Sequence, residues 1–139
     1  MPFRIDVDEF DYIFVLSKTL REESEMDIIN VYEIKDFKEG VRVSKKVVDK
    51  DKAVIHFHFY STDSKVQPHR HADAVDVYYV VEGEGKATIG DEEKILRKGD
   101  IVMVPENTIH GLVNPYEKPL IVLDILAPKP KEWASKTST

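Results

Sequence analysis

From Val31 onward, short β-branched or aromatic runs alternate with clusters of Gly, Asp, Asn or Pro, and no helical periodicity runs through them. The runs VYEI, VRVS, AVIHFHFY, DVYYVVE, KATIG, EKIL, DIVMVP, TIHGLV and LIVLDIL read as strands. So many short strands at close spacing predict an all-β domain, either a closed barrel or a two-sheet sandwich. Between KATI and ILRKGD, Gly90 and Asp91 supply the chemistry of a tight hairpin turn. Upstream, DEFDYIFVLSKTLREESE fits a helix with Phe10, Ile13, Phe14 and Leu20 on one side, or a strand YIFVLS entering a polar loop; the strand is the preferred reading. The tail after Leu126, APKPKEWASKTST, has two prolines and little apolar content, so Trp133 is its expected anchor. The chain thus divides into an N-terminal extension (1–30), a β-domain (31–127) and a C-terminal tail (128–139).

At 139 residues one domain can bury a core without staples. The 26 acidic against 20 basic residues give a net charge of −6, with the basic residues scattered, which argues against a nucleic-acid or anionic-membrane partner. There is no cysteine, so disulfides, thiolate metal sites and a cysteine nucleophile are excluded, and any metal must sit on nitrogen and oxygen. The start MPFRIDVDEF lacks the basic-then-apolar pattern of a signal peptide, and YIFVL is far too short to span a bilayer. A soluble, cytoplasmic protein is the expectation.

Two stretches bear chemistry. In QPHRHADAVDVYYVVEGEG, residues i and i+2 of a strand share a face, so His69 and His71 are expected to project side by side. After the irregular ADAV, Asp76, Tyr78 and Val80 would share a face of a neighbouring strand. Imidazoles and a carboxylate converging in this way suit Fe, Mn, Ni, Cu or Zn. In GDIVMVPENTIHGLVN, a turn at Gly99 and Asp100 precedes a buried strand, and a second turn at Pro105 to Asn107 delivers His110, a third imidazole.

The two stretches resemble the paired motifs of the cupin superfamily, over roughly residues 53 to 127. The first motif runs H-x-H, three or four residues, Glu, six residues, Gly; His69, His71, Asp76 and Gly83 match it with Asp in place of Glu. The motif's upstream glycine falls at Asp63. The second runs Gly, five residues, Pro, one residue, Gly, two residues, His, three residues, Asn; Gly99, Pro105, His110 and Asn114 match it, with Asn107 in place of Gly. Asn is the next most tolerant residue of positive φ.

The resemblance implies a double-stranded β-helix, a jelly-roll barrel of two antiparallel sheets, with the N-terminal extension outside it. It also implies that His69, His71, Asp76 and His110 hold one divalent transition metal (Fe, Mn, Ni, Cu or Zn) inside the barrel. Up to two adjacent coordination positions would remain for a small-molecule substrate, water or oxygen. Asp76 is one methylene shorter than Glu and must approach more closely or bind through water. Small cupins of this kind serve as dioxygenases, as isomerases, lyases or decarboxylases using the metal as a Lewis acid, or as non-enzymatic binders of a sugar or small acid. They commonly form homodimers through a sheet, a role that would suit YIFVL. Gly83, Gly99, Pro105 and Asn114 read as turn and packing residues.

Other residues carry weaker signals. Tyr78, in phase with Asp76, is either a catalytic acid or hydrogen-bond donor, or a core residue with its hydroxyl capped. Asp73 is the fallback carboxylate and is expected on a loop surface. His56 and His58 share a strand face with Val54 and Tyr60; either they line the pocket mouth or, as the preferred reading has it, they lie on a half-exposed sheet face or a dimer surface.

Overall fold

The computed structural model describes residues 28–133 in full and, as backbone, the strands β1 (Phe3–Asp8) and β2 (Asp11–Val15). There follow β3 (Arg42–Lys50), β4 (Ala53–Tyr60), β5 (Lys65–His69), β6 (Val75–Glu82), β7 (Glu84–Ile89), β8 (Glu92–Arg97), β9 (Ile101–Val104), β10 (His110–Val113) and β11 (Leu120–Ala127). They form a seven-stranded sheet in the order β1-β2-β3-β4-β11-β6-β9 and a four-stranded sheet in the order β5-β10-β7-β8. Pairing is antiparallel throughout except between β2 and β3, which run parallel. This is the double-stranded β-helix that the motif resemblance implied. Among the described residues, no helix is long and apolar enough to cross a membrane.

Strand periodicity explains how the interior is filled. Tyr60 and Leu120 close one end of the inner face of the larger sheet. Val80 and Val122 continue it, and Ala87, Leu96 and Leu112 meet them from the smaller sheet. The outer face of the larger sheet is covered as well. Ile29, Val31, Ile34 and Phe37 lie over Val43, Phe59 and Ile121, with Phe37 edge-on to Phe59 at 5.6 Å between ring centroids. This cover explains a departure from the expected strand VYEI. Val31–Glu33 is instead a 3₁₀ turn whose N-cap, Asn30, accepts a hydrogen bond from the Tyr32 amide at 2.9 Å. The turn lets successive apolar side chains reach one surface, which a strand would split between two faces.

The expected hairpin is present, with Ile89 opposite Glu92 and Gly90 at φ 62° between them. Tyr12 to Val15 of YIFVLS fall in β2, as the strand reading had it, and the rest of that run with the polar loop expected after it lies outside the described residues. Trp133 anchors the tail against Val54, Ala74 and Leu126. Strand β5 was not among the expected runs. Its sequence KVQPH is largely polar because it is a sheet edge paired only with β10, where Pro68 is tolerated.

Two departures from the motif glycines have a local cause. Asp63 and Asn107 are the non-glycine residues with positive φ among those described, at 65° and 58°. Both keep the left-handed turn conformation of the motif with a side chain that tolerates it. Gly83 cannot vary in this way. It turns the chain from β6 into β7 at φ 81°, and a Cβ there would run into the Pro119 carbonyl.

Candidate metal centre

The four motif residues reach one point from three directions. Strand β5 ends at His69, so His71 lies beyond it rather than on the same strand face as expected. The turn after His69 nevertheless brings the two rings to 5.0 Å between centroids. Asp76 stands on the inner face of β6 with Tyr78 and Val80, as its phase predicted, and all three are buried. His110 opens β10 directly opposite His69, with ring centroids 4.4 Å apart. One donor atom from each of His69, His71, Asp76 and His110 lies within 4.8 Å of the others.

Hydrogen bonds orient the imidazoles. His69 Nδ1 is 2.7 Å from the Gln67 carbonyl oxygen, and His110 Nδ1 is 2.8 Å from that of Thr108. A carbonyl only accepts, so each Nδ1 carries the proton and each Nε2 is turned toward the cluster. Ligand histidines in metal sites are tied in this way. His110 Nε2 lies 3.0 Å and His71 Nε2 4.0 Å from Asp76 Oδ2. Behind His71, Glu132 Oε1 stands 3.6 Å from Nδ1.

The electrostatics match a site that exchanges a proton for a cation. Burial, then the neighbouring Asp124 carboxyl, pushes the Asp76 pKa up to about 7. Burial lowers His69 to about 4 and also lowers His71, which keeps both imidazoles neutral with lone pairs available. His110 is the exception. Burial pulls its pKa down, but the hydrogen bonds to Asp76 and the Thr108 carbonyl hold it above the ordinary imidazole value. His110 Nε2 and Asp76 Oδ2, 3.0 Å apart, are placed to share one proton. Asp76 Oδ1 has no partner among the described residues other than the Asp124 carboxyl. Three imidazole nitrogens and a buried carboxyl form a nitrogen and oxygen donor set that fits a divalent transition metal.

Tyr78 is buried with its ring 5.8 Å from that of His110, and burial followed by the Asp76 charge raises its hydroxyl pKa well above the ordinary value. Asp73 lies apart from the cluster, where it accepts the Lys131 amide at 3.1 Å. His56 and His58 correct the expectation of a half-exposed face. Both point into the barrel with 4% and 3% exposure, because the outer side of β4 is the one that carries Ile55, Phe57 and Phe59. Sequence reasoning missed Asp124, which faces His56 and Tyr78 from β11 and meets the Asp76 carboxyl. Its signal was available: in LIVLDIL it is the one charged residue, in phase with the inward Leu120, Val122 and Leu126.

The comparisons agree with this geometry. The family model of the cupin domain matches residues 56–126, about half of the chain, and spans all four residues of the centre. The chain is 35% identical over 60 residues to an uncharacterised protein of Methanocaldococcus jannaschii, covering 43% of this chain and 48% of that protein. It is 34% identical over 62 residues to the pectin degradation protein KdgF of Dickeya dadantii, covering 45% and 56%. The match thus spans about half the length of each relative. The crystal structure of TT1209 from Thermus thermophilus is similar in fold, with a TM-score of 0.71 at 23% identity over 74% of this chain and 98% of that one. With both motifs folded onto facing sheets of one barrel and the family model matched across them, the chain belongs to the cupin family.

Proposed function

We propose that this cupin is a metal-dependent enzyme acting on a small, oxygen-rich, carbohydrate-derived substrate, with His69, His71, Asp76 and His110 holding one divalent transition metal. The observation that carries this reading is the orientation of the cluster. His69 and His110 each commit Nδ1 to a backbone carbonyl and turn Nε2 inward, beside the buried Asp76 carboxyl. The similarity to a protein named for pectin degradation supports the substrate class. A metal held there supplies Lewis acidity at a substrate carbonyl or hydroxyl oxygen, as isomerase, lyase or decarboxylase chemistry requires.

The chain's own groups have separate tasks. The Gln67 and Thr108 carbonyls fix the His69 and His110 rings before any ligand arrives, so little reorganisation is needed on binding. Asp76 would have to be ionised to hold a metal, so binding would weaken as the pH falls below about 7. Tyr78 keeps its hydroxyl proton at any ordinary pH and acts as a donor toward a substrate oxygen. Trp133, edge-on to His71 at 5.6 Å, shields that ring from water. A homodimer would form through β1, one of the two edge strands of the larger sheet, paired to the strand that carries Tyr12 to Val15.

Elemental analysis of the purified protein, followed by turnover assays on a panel of keto- and hydroxy-sugar acids, tests the reading. One transition metal per chain is expected, with activity lost on chelation and restored by the same metal. Metal-free protein that takes up none of Fe, Mn, Ni, Cu or Zn would refute the site. Turnover that consumes oxygen would replace Lewis-acid chemistry with a dioxygenase-like reaction. Metal-dependent binding of these acids without turnover would make the protein a binding cupin.

A further inference from the structure

All five histidines of the chain stand inside the barrel, and the centre at Asp76 uses three of them. The other two, His56 and His58, project from alternate positions of β4 and stack at 5.3 Å between centroids with an interplanar angle of 18°. Both face Asp124 on β11. His58 Nε2 lies 2.6 Å from Asp124 Oδ2, and one donor atom from each of the three residues lies within 4.8 Å of the others. The three are 3% to 5% exposed.

A histidine–carboxylate hydrogen bond alone does not account for this group. It leaves His56 Nδ1 buried without a partner among the described residues, and Asp124 Oδ1 with none but the Asp76 carboxyl, and an unmet buried polar atom in a native fold points to an unseen water or ion. Nor is the Ser44–His58–Asp124 chain a nucleophilic triad. Ser44 has the right order of contacts, with Oγ 2.7 Å from His58 Nδ1, but it is completely buried and no substrate could reach it. What Ser44 can do is accept the Nδ1 proton and turn His58 Nε2 toward Asp124. The Gln67 and Thr108 carbonyls do the same for His69 and His110.

We propose that His56, His58 and Asp124 form a second divalent-metal site, contiguous with the first across the meeting carboxyls of Asp76 and Asp124. Two imidazoles and a carboxylate suit Zn, Co, Ni, Cu or Fe. The pair of sites would hold two dications on two carboxylates, which leaves positive charge for an anionic ligand such as hydroxide or a substrate carboxylate. Trp133, the single tryptophan, stands edge-on to His56 at 5.8 Å and to His71 at 5.6 Å, so it touches one ring of each site.

The test is a titration of chelator-stripped, full-length protein with Cu²⁺, with bound copper measured after dialysis and spin quantified by electron paramagnetic resonance. Two coppers per chain are expected, and the second should lower the integrated spin well below the total copper, because adjacent ions couple magnetically. Spin rising in proportion to copper through the second equivalent would show a distant adventitious site and overturn the proposal, as would saturation at one equivalent. His56→Gln should reduce the stoichiometry from two to one, and His69→Ala should weaken the first site while the second still fills. A single copper lost in His69→Ala and retained in His56→Gln would leave the mononuclear reading intact and remove the second site. No copper at all would remove both. If His56→Gln fails to fold, the spin count on the unaltered protein decides.

Discussion

The barrel interior has two halves built on the same strands, one apolar and one polar. Along β4 the inward positions run Val54, His56, His58, Tyr60, and along β11 they run Leu126, Asp124, Val122, Leu120. Toward Tyr60 and Leu120 the neighbours are Val80, Ala87, Leu96 and Leu112, a dry core in which apolar burial contributes about 25 cal/mol per Å². Further along the same strands stand His56, His58 and Asp124, and His69, His71, Asp76 and His110 join them from β5, the turn after it, β6 and β10, with His56 Nδ1 buried and unpartnered among the described residues. Nothing about strand geometry separates the two halves. The apolar half stabilises the fold, and this surplus lets the other half keep buried polar groups that cost stability but can bind a cation.

The division can be tested from either side. The largest effect is expected in the apolar half: Leu120→Ala, at a fully buried position, should destabilise the chelated protein by about 2–5 kcal/mol in urea unfolding. A loss below about 1 kcal/mol would mean that this half does not carry the fold. His69→Ala should do the opposite. Its ring is only half-buried, so stability in chelator should change by less than about 1 kcal/mol, while metal affinity falls on the order of 100-fold or more in competition dialysis. Asp76→Glu lies at the junction. Restoring the motif's acid should preserve metal binding in calorimetry, but the extra methylene beside Asp124 should cost about 1–3 kcal/mol without metal. Complete loss of binding would show that the barrel is shaped around the shorter acid.

The pH dependence follows from His56. Burial, then His58, holds its folded pKa well below 6.5, so below that pH the unfolded chain takes up a proton that the folded chain refuses. The depressed histidine pKa therefore costs stability as the pH falls. In chelator, the difference between the unaltered protein and His56→Gln should be flat above pH 6.5 and should shift toward the variant by up to about 1.4 kcal/mol per pH unit below it. A flat difference down to about pH 5 would mean that His56 protonates freely and is not part of a sealed interior. The smallest effect is expected at Asn107, whose φ of 58° suits glycine. Asn107→Gly should change the thermal midpoint by the equivalent of less than about 1 kcal/mol.

Much of this was legible along the chain, and the misses share a cause. AVIHFHFY corresponds to β4 residue for residue, and Gly90 and Asp91 turn where their chemistry demands, because alternation and turn preference are local properties. The gathering of His69, His71, Asp76 and His110 was legible through motif spacing. VYEI failed as a strand because its apolar residues serve to cover the outer sheet face, a surface that exists only once β3, β4 and β11 are paired. Alternation placed His56 and His58 together on one face but could not say which face was inside, since both sides of β4 are covered.

The sequence by itself determined the strand content, the hairpin, the family motifs and the residue types able to bind a metal. These depend on neighbours a few positions apart. Only the tertiary structure decided that Asp124 meets Asp76, that Ser44 orients His58, and that the five histidines gather into two adjoining clusters. Those contacts join strands separated by as many as 66 positions, as His58 and Asp124 are. Registry and inward phase are set when the sheets pair and close, so no local pattern encodes them.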